Sequence, residues 1–279
     1  MVTETTIAGI RARLAEHRVH GSRIALVPTM GALHDGHLAL IAEARRKADI
    51  VVASIFVNPL QFGPNEDYTR YPRTLDTDSE KLADAGVAIL FAPEAAEMYA
   101  TPSSTTLAPR AFGNALEGKV RPGHFAGMLT IVAKLFNIVQ PVIAVFGRKD
   151  LQQLALIRAM VADLDFPVEI REVETVREAD GLALSSRNRY LGDGARRSAT
   201  RLREALLAAK AAFDSGATSP KALEDAGQSV LAADGLISVD YLAVVDQSDF
   251  ESPATAKHGD SIVAAIRVGG TRLIDNIRL

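Results

Sequence analysis

Apolar and polar positions along the first two thirds of the chain switch repeatedly between a helical period and short, wholly apolar runs. Ile7, Ile10 and Leu14 recur at helical spacing and predict a short helix over residues 7–17. Ile24-Ala25-Leu26-Val27 predicts a strand, which Pro28 should end because it has no N–H to give a sheet. An amphipathic helix is expected over roughly residues 38–48. Residues 50–57, nearly all apolar and β-branched, read as a strand buried on both faces. A helix over 75–85 is stopped by Gly86, a strand over 87–92 by Pro93, and an apolar helix over 127–140 by Pro141. A strand over 142–146, a helix over 151–164 and a strand over 168–173 complete the series. Residues 102–123, rich in Gly and Pro, are expected to be mostly irregular.

Strands alternating with helices imply right-handed crossovers and a parallel sheet covered on both faces. Such sheets bind ligands beyond the carboxyl ends of their strands, at the switch point. Three polar clusters fall at strand ends, residues 28–37, 58–62 and 147–153, and topology predicts that they converge. After about residue 176 the pattern changes. Two helices, roughly 194–214 and 220–233, precede strands over 239–245, 261–268 and 271–277. The last two flank Gly269-Gly270, a hairpin signal. The fold class is therefore α/β, with residues 1–175 expected as a parallel-sheet domain and residues 176–279 as a smaller α+β domain.

The 279 residues suffice for two domains with sizeable cores. A hydrophobic share of 48% and a charged share of 23% fit a soluble globular protein. Lys+Arg 31 against Asp+Glu 34 leaves a formal charge of −3, which speaks against a nucleic-acid backbone as partner. Absence of cysteine excludes disulfides, thiolate nucleophiles and cysteine metal sites. The first ten residues lack the apolar core of a signal peptide, and no apolar run is long enough to span a bilayer. A cytoplasmic protein without a membrane partner is expected.

The chemistry concentrates in Pro28-Thr29-Met30-Gly31-Ala32-Leu33-His34-Asp35-Gly36-His37. Its histidines are three apart, so a helical first turn puts both on one face. That turn also offers unpaired N–H groups and the positive end of a helix dipole. Two imidazoles, backbone donors and a dipole end make a phosphate site without a metal.

Asn58 and Gln61 follow a strand end. They read either as neutral hydrogen-bonding groups for hydroxyls and carboxylates or as a turn with a solvated amide. Lys149 suits a phosphate, while Asp150 and Gln153 fit either a capping box or, for Gln153, a pocket wall. Arg121 and His124 stand in an irregular stretch that also reads as a surface loop. Asp76 and Asp78 read as the first turn of a helix or as weak candidates for a divalent cation. Ser185-Ser186-Arg187 can wrap a phosphate or cap the next helix.

Taken together, Pro28–His37, Val57-Asn58-Pro59-Leu60-Gln61-Phe62, Arg121-Pro122-Gly123-His124-Phe125, Phe146-Gly147-Arg148-Lys149-Asp150-Leu151-Gln152-Gln153, Leu184-Ser185-Ser186-Arg187-Asn188 and the tail Thr271–Asn276 resemble the pantothenate synthetase (pantoate–β-alanine ligase) family in order and spacing. Two positions depart from it: Leu151 replaces a usual tyrosine and Leu184 a usual methionine.

The resemblance implies a Rossmann-like nucleotidyltransferase fold with a smaller C-terminal lid, and a homodimer. The implied reaction condenses (R)-pantoate with β-alanine through a pantoyl adenylate, using ATP with Mg²⁺ and releasing AMP and diphosphate. It assigns ATP to Met30, Gly31, Ala32, Leu33, His34, Asp35, Gly36 and His37, to Gly147, Arg148, Lys149 and Asp150, to Val176, and to Leu184, Ser185, Ser186 and Arg187. It assigns pantoate to Gln61 and Gln153, beside which Asn58 and His124 are candidate substrate contacts. His37 matches the family's proton donor, and His34, Lys149 and Arg187 would add positive charge. Three rivals are a plain adenylyltransferase, a class I aminoacyl-tRNA synthetase and a non-catalytic nucleotide-binding regulator. Gln61 and Gln153 argue against the first and third, and the lack of a tRNA-binding domain and basic balance against the second.

Overall fold

Neighbouring residues of the central strands send their side chains to opposite faces, and the two faces carry separate cores. In the computed structural model, which describes residues 1–64, 66–99 and 104–279, Leu26, Val52, Ile89, Phe91, Ala144 and Phe146 pack on one face. Ala25, Val27, Val51, Ala53, Leu90 and Val145 pack on the other.

The elements are β1 (Val2–Glu4), α1 (Ile7–Val19), β2 (Ile24–Thr29), α2 (Asp35–Lys47), β3 (Ile50–Ile55), α3 (Leu75–Asp84), β4 (Ile89–Phe91), α4 (Ala95–Met98), α5 (Glu117–Val120), α6 (His124–Val139), β5 (Ile143–Gly147), α7 (Leu151–Asp163) and β6 (Glu169–Val173). The six strands pair in parallel in the order β1-β4-β3-β2-β5-β6. Helices α1, α6 and α7 cover the first face, while α2 and α3 cover the second. The chain winds outward in both directions from β2 and β5, so their carboxyl ends form the switch point. This is the expected Rossmann-like α/β fold.

The second sheet follows α8 (Asp193–Ala199), α9 (Arg201–Asp214) and α10 (Pro220–Ala232). Its strands β7 (Ile237–Val245), β8 (Ser261–Val268) and β9 (Thr271–Arg278) are antiparallel in that order. Gly269 and Gly270 make the hairpin turn at φ 55° and 78°, values that suit glycine. Leu202, Leu206, Leu223 and Leu231 pack on Ile262, Ala264 and Ile266 in a core of their own. A small seam of Leu151, Val245, Phe250 and Val263 joins this unit to the first.

Several expectations shift. Pro28 does not end its strand: β2 runs on to Thr29, in register with Ser54 and Ile55. The Thr29 carbonyl accepts from the Phe56 N–H, so in this parallel ladder Pro28 faces the β5 side. There β2 and β5 pair only at Ala25 and Leu26, and no ladder bond is lost. The short edge strand β1 was not predicted. Residues 194–214 form two helices rather than one, broken at Thr200, whose hydroxyl bonds back to the Arg197 carbonyl at 2.8 Å. The stretch expected to be irregular carries α5 and a 3-10 turn, Ala111–Asn114; residues 102 and 103 of it lie outside the described residues.

Candidate active site

A cavity of about 240 Å³ opens at the carboxyl ends of β2 and β5. The three polar clusters converge on it as the topology predicts, and Ser185-Ser186-Arg187 closes it from the far side.

The first wall hangs from one carboxylate. Asp78, 1% exposed on α3, accepts the Ala32 and Leu33 N–H groups at 2.8 Å each and the Thr74 hydroxyl at 2.9 Å. Thr29 completes the anchor, its hydroxyl donating to the Ser54 carbonyl at 2.7 Å and accepting from the Gly31 N–H at 3.2 Å. The sequence reading did not anticipate these internal partners. The N–H groups of Gly31, Ala32 and Leu33 are spent inside the protein, the Ala32 and Leu33 side chains are buried, and Asp35 is exposed outside the cavity wall. Asp78 is an internal anchor of this wall.

The chain then enters α2 with His34 at its N-cap and His37 three residues on. The two rings lie 4.1 Å apart between centroids. The His34 N–H donates to His37 Nδ1 at 3.3 Å, which leaves the proton of a neutral His37 on Nε2. Burial, then the neighbouring His34 and Lys149, pushes His37 down to about 3. Burial and then Lys149 push His34 down to about 4. Both imidazoles are therefore neutral near pH 7, and the expected positive charge rests instead on Lys149 and Arg187. Gly36 is required here, since a Cβ would meet the His34 ring at 2.9 Å.

The opposite wall carries the amides. Gln61 is 8% exposed and its loop lies against α6, where a Cβ on Gly127 would overlap the Leu60 carbonyl. Asn58 is saturated: its amide nitrogen donates to Gln61 Oε1 at 3.0 Å and to the Gly127 carbonyl at 3.1 Å, and its oxygen accepts from Tyr99 at 2.7 Å. Asn58 thus orients Gln61, leaving Gln61 Nε2, 3.2 Å from Met30 Sδ, as the group facing the cavity. His124 is used up in the same way. Arg121 donates to its Nε2 at 3.1 Å, so its Nδ1–H goes to the Gln61 carbonyl at 2.9 Å. Burial and then Arg121 push His124 down to about 4. Asn58 and His124, expected as substrate contacts, have their polar atoms engaged inside the protein.

The third wall follows β5. Gly147, Lys149, Asp150 and Gln153 line the cavity. The Asp150 side chain makes no capping bond, so the capping box does not form and Asp150 stands beside Lys149 at 3.9 Å. Arg148 turns away. It is 2% exposed and donates to Ser261 Oγ at 3.1 Å on β8. Asn276 on β9 holds this loop through the Arg148 and Lys149 carbonyls at 2.9 and 3.0 Å.

On the far side Val176, Leu184, Ser185, Ser186 and Arg187 reach the cavity. Arg187 forks onto Asp67 at 2.9 and 3.0 Å, and this pairing outweighs burial and raises its pKa. Tyr71 also lines the cavity and meets Ser186 Oγ at 3.2 Å. Nothing local marks Asp67 or Tyr71, and Asn276 is marked only as part of the tail that resembles the family; each acts through a partner more than a hundred residues away. Of the two family departures, Leu184 lines the cavity and Leu151 packs into the apolar seam.

A parallel sheet with a helix N-terminus, a lysine, neutral imidazoles and oriented carboxamides at its switch point defines a nucleotidyltransferase-like α/β enzyme. The family model described as Pantoate-beta-alanine ligase matches residues 2–278. Pantothenate synthetase of Acidothermus cellulolyticus is 54% identical over 258 residues, covering 91% of this chain and 84% of that one. The crystal structure of pantothenate synthetase from Thermus thermophilus superposes with a TM-score of 0.95 at 47% identity, covering 99% of each chain. Pantoate-beta-alanine ligase from Francisella tularensis, whose structure is titled as complexed with Beta-gamma ATP and Beta-alanine, superposes with a TM-score of 0.82 at 34% identity, covering 100% of this chain and 97% of that one. The chain belongs to the pantoate–β-alanine ligase family. It is a ligase that joins pantoate to β-alanine with ATP, as the motifs implied, and not one of the three rivals.

Proposed function

We propose that this cavity forms a pantoyl adenylate from (R)-pantoate and ATP and then transfers the pantoyl group to β-alanine. In the first step a pantoate carboxylate oxygen bonds to the α-phosphorus and diphosphate leaves with the electrons of the broken P–O bond. Such a step needs alignment and donors for the phosphate oxygens rather than a protein nucleophile. His37 offers Nε2–H as a neutral donor, Lys149 adds a fixed charge, and the first turn of α2 adds its dipole. Arg187 would exchange Asp67 for a phosphate. In the second step the free amine of β-alanine forms a C–N bond at the activated carbonyl, AMP leaves, and the nitrogen gives up a proton.

Gln61 and Gln153 are proposed to hold pantoate. A carboxamide bonds its hydroxyl and carboxylate without placing another charge beside the reacting group. Gly147, Asp150, Val176, Leu184, Ser185 and Ser186 are proposed to surround the nucleotide. Magnesium is proposed to enter bound to the triphosphate: among the described residues no three His, Asp or Glu side chains group to hold an ion, and Asp150 is a cavity-wall carboxylate that could face it. Residues 176–279 are proposed as a lid over residues 1–175, supported by the Arg187–Asp67 and Tyr71–Ser186 contacts across the cavity. A cytoplasmic homodimer is proposed on the family resemblance; no helix among the described residues is long and apolar enough to cross a membrane.

The observation that carries this reading is one cavity lined by His37 and Lys149 on one side and Gln61 and Gln153 on the other. Purified protein incubated with ATP, pantoate and β-alanine should yield pantothenate, AMP and diphosphate in equal amounts. ADP and phosphate as products would overturn it.

A further inference from the structure

Where the C-terminal sheet meets α5, polar groups close around one buried carboxylate. Glu117 is 6% exposed. It accepts Arg272 Nη1 and Nη2 at 2.8 and 2.6 Å and the Tyr241 hydroxyl at 2.7 Å. Asp240 holds Arg272 from the other side, 2.6 Å from Nε. The Glu117 main chain is fixed as well, its N–H donating to Gln152 Oε1 at 3.1 Å and its carbonyl accepting the Arg121 N–H at 2.8 Å. Burial works to raise the Glu117 carboxyl, but the bonds and charge of Arg272 outweigh it and hold the group ionised.

None of Glu117, Tyr241, Asp240 and Arg272 lines the substrate cavity. Yet Glu117 starts the single turn that ends at Arg121. Arg121 forks onto Glu66 at 2.6 and 2.7 Å and touches His124, which holds the Gln61 carbonyl. One unbroken series of contacts therefore runs from β7 and β9 to the backbone of Gln61. Burying an ion pair gives little net stability over an apolar pair, so its use at this seam calls for another reason. Fixing geometry is that reason: a forked guanidinium on a carboxylate sets position and angle together.

We propose that Glu117, Arg272 and Tyr241 are positioning residues for pantoate. Through Glu117 and the Arg121–His124 pair, the C-terminal sheet sets where the Gln61 carboxamide stands in the cavity. This deepens the reading of Gln61 as a pantoate contact and rests on it. The contacts of this series include neither α2 nor Lys149, although β9 also holds the Arg148 and Lys149 carbonyls through Asn276, so the test reads ATP as well as pantoate.

Arg272→Met and the milder Tyr241→Phe test the proposal in the full-length enzyme, with steady-state kinetics in each substrate. Pantoate KM should rise about 5–10-fold in Arg272→Met and about 2–3-fold in Tyr241→Phe, from losing charged and neutral hydrogen bonds respectively. ATP KM should stay within about twofold, and Arg272→Lys should recover part of the loss. The double variant Arg272→Met/Gln61→Ala should show a pantoate KM close to that of Gln61→Ala alone, because both changes act on one group. Additive effects in the double variant, or equal changes for ATP and pantoate, overturn the proposal. Gln61→Ala with an unchanged pantoate KM removes the underlying reading of Gln61. A pantoate defect in Gln61→Ala that neither Arg272→Met nor Tyr241→Phe shares refutes the positioning role alone.

Discussion

Replacing Asp78 with asparagine should damage the protein before any substrate arrives. In the native structure its two oxygens accept two buried N–H groups, from Ala32 and Leu33, and one hydroxyl, from Thr74. Asparagine keeps one acceptor and turns an NH₂ group toward the remaining N–H. One buried donor left unpaired costs about 1–3 kcal/mol. The surviving bond also loses its charge assistance, so the total is about 2–4 kcal/mol. For a chain of this size that corresponds to a fall of roughly 3–7 °C in the unfolding midpoint. The assay is thermal unfolding of enzyme freed of nucleotide and magnesium. An Asp78→Asn protein with an unchanged midpoint but a raised magnesium requirement would refute the reasoning and make Asp78 a cation ligand.

Three further outcomes are expected. His37→Ala should slow adenylate formation in a single turnover far more than it raises ATP KM, since a donor used mainly in the transition state acts on rate; a normal adenylation rate would contradict it. Gln153→Ala should weaken pantoate binding about 2–10-fold, the loss of one neutral hydrogen bond, with ATP binding spared in calorimetric titration. His124 titrates at about 4 in the fold against 6.5 unfolded, so the unfolded chain takes up its proton first as pH falls. Its stabilising contribution is complete above about pH 6.5 and is lost toward pH 4, on the order of 2 kcal/mol at pH 5. Urea unfolding at pH 7 and pH 5 should show this drop, and His124→Gln should reduce it.

The sequence carried the fold wherever one apolar period dominated. β2, β3, α6 and the β8–β9 hairpin stand within a few residues of their predicted places because burial on a sheet face leaves few alternatives. It failed at β1, whose Val2-Thr3-Glu4 has no pattern of its own and becomes a strand only by pairing with β4. Cavity-lining residues were legible where the backbone itself presents them, as at His34, His37 and Lys149. What the local pattern could not convey is which polar atoms are already taken. Asn58 and His124 look like substrate groups until Tyr99, Gly127 and Arg121 claim their bonds. Arg148 looks like a phosphate ligand until Ser261, over a hundred residues later, draws it away. The protonation of the histidines follows burial in the same way: a motif shows two imidazoles, and only packing makes them neutral.

The claim that carboxylate activation precedes amide formation is tested most directly by isotope exchange. Labelled diphosphate should enter ATP when pantoate is present and β-alanine is absent, because a reversible first step needs only those two substrates. His34, His37, Lys149 and Arg187 are proposed to serve that step alone. No cysteine offers an alternative acyl carrier. The exchange should vanish without pantoate, whose carboxylate is the nucleophile. Exchange that requires β-alanine would contradict the account by showing a concerted or differently ordered reaction, and exchange without pantoate would mean that the protein itself takes the adenylyl group.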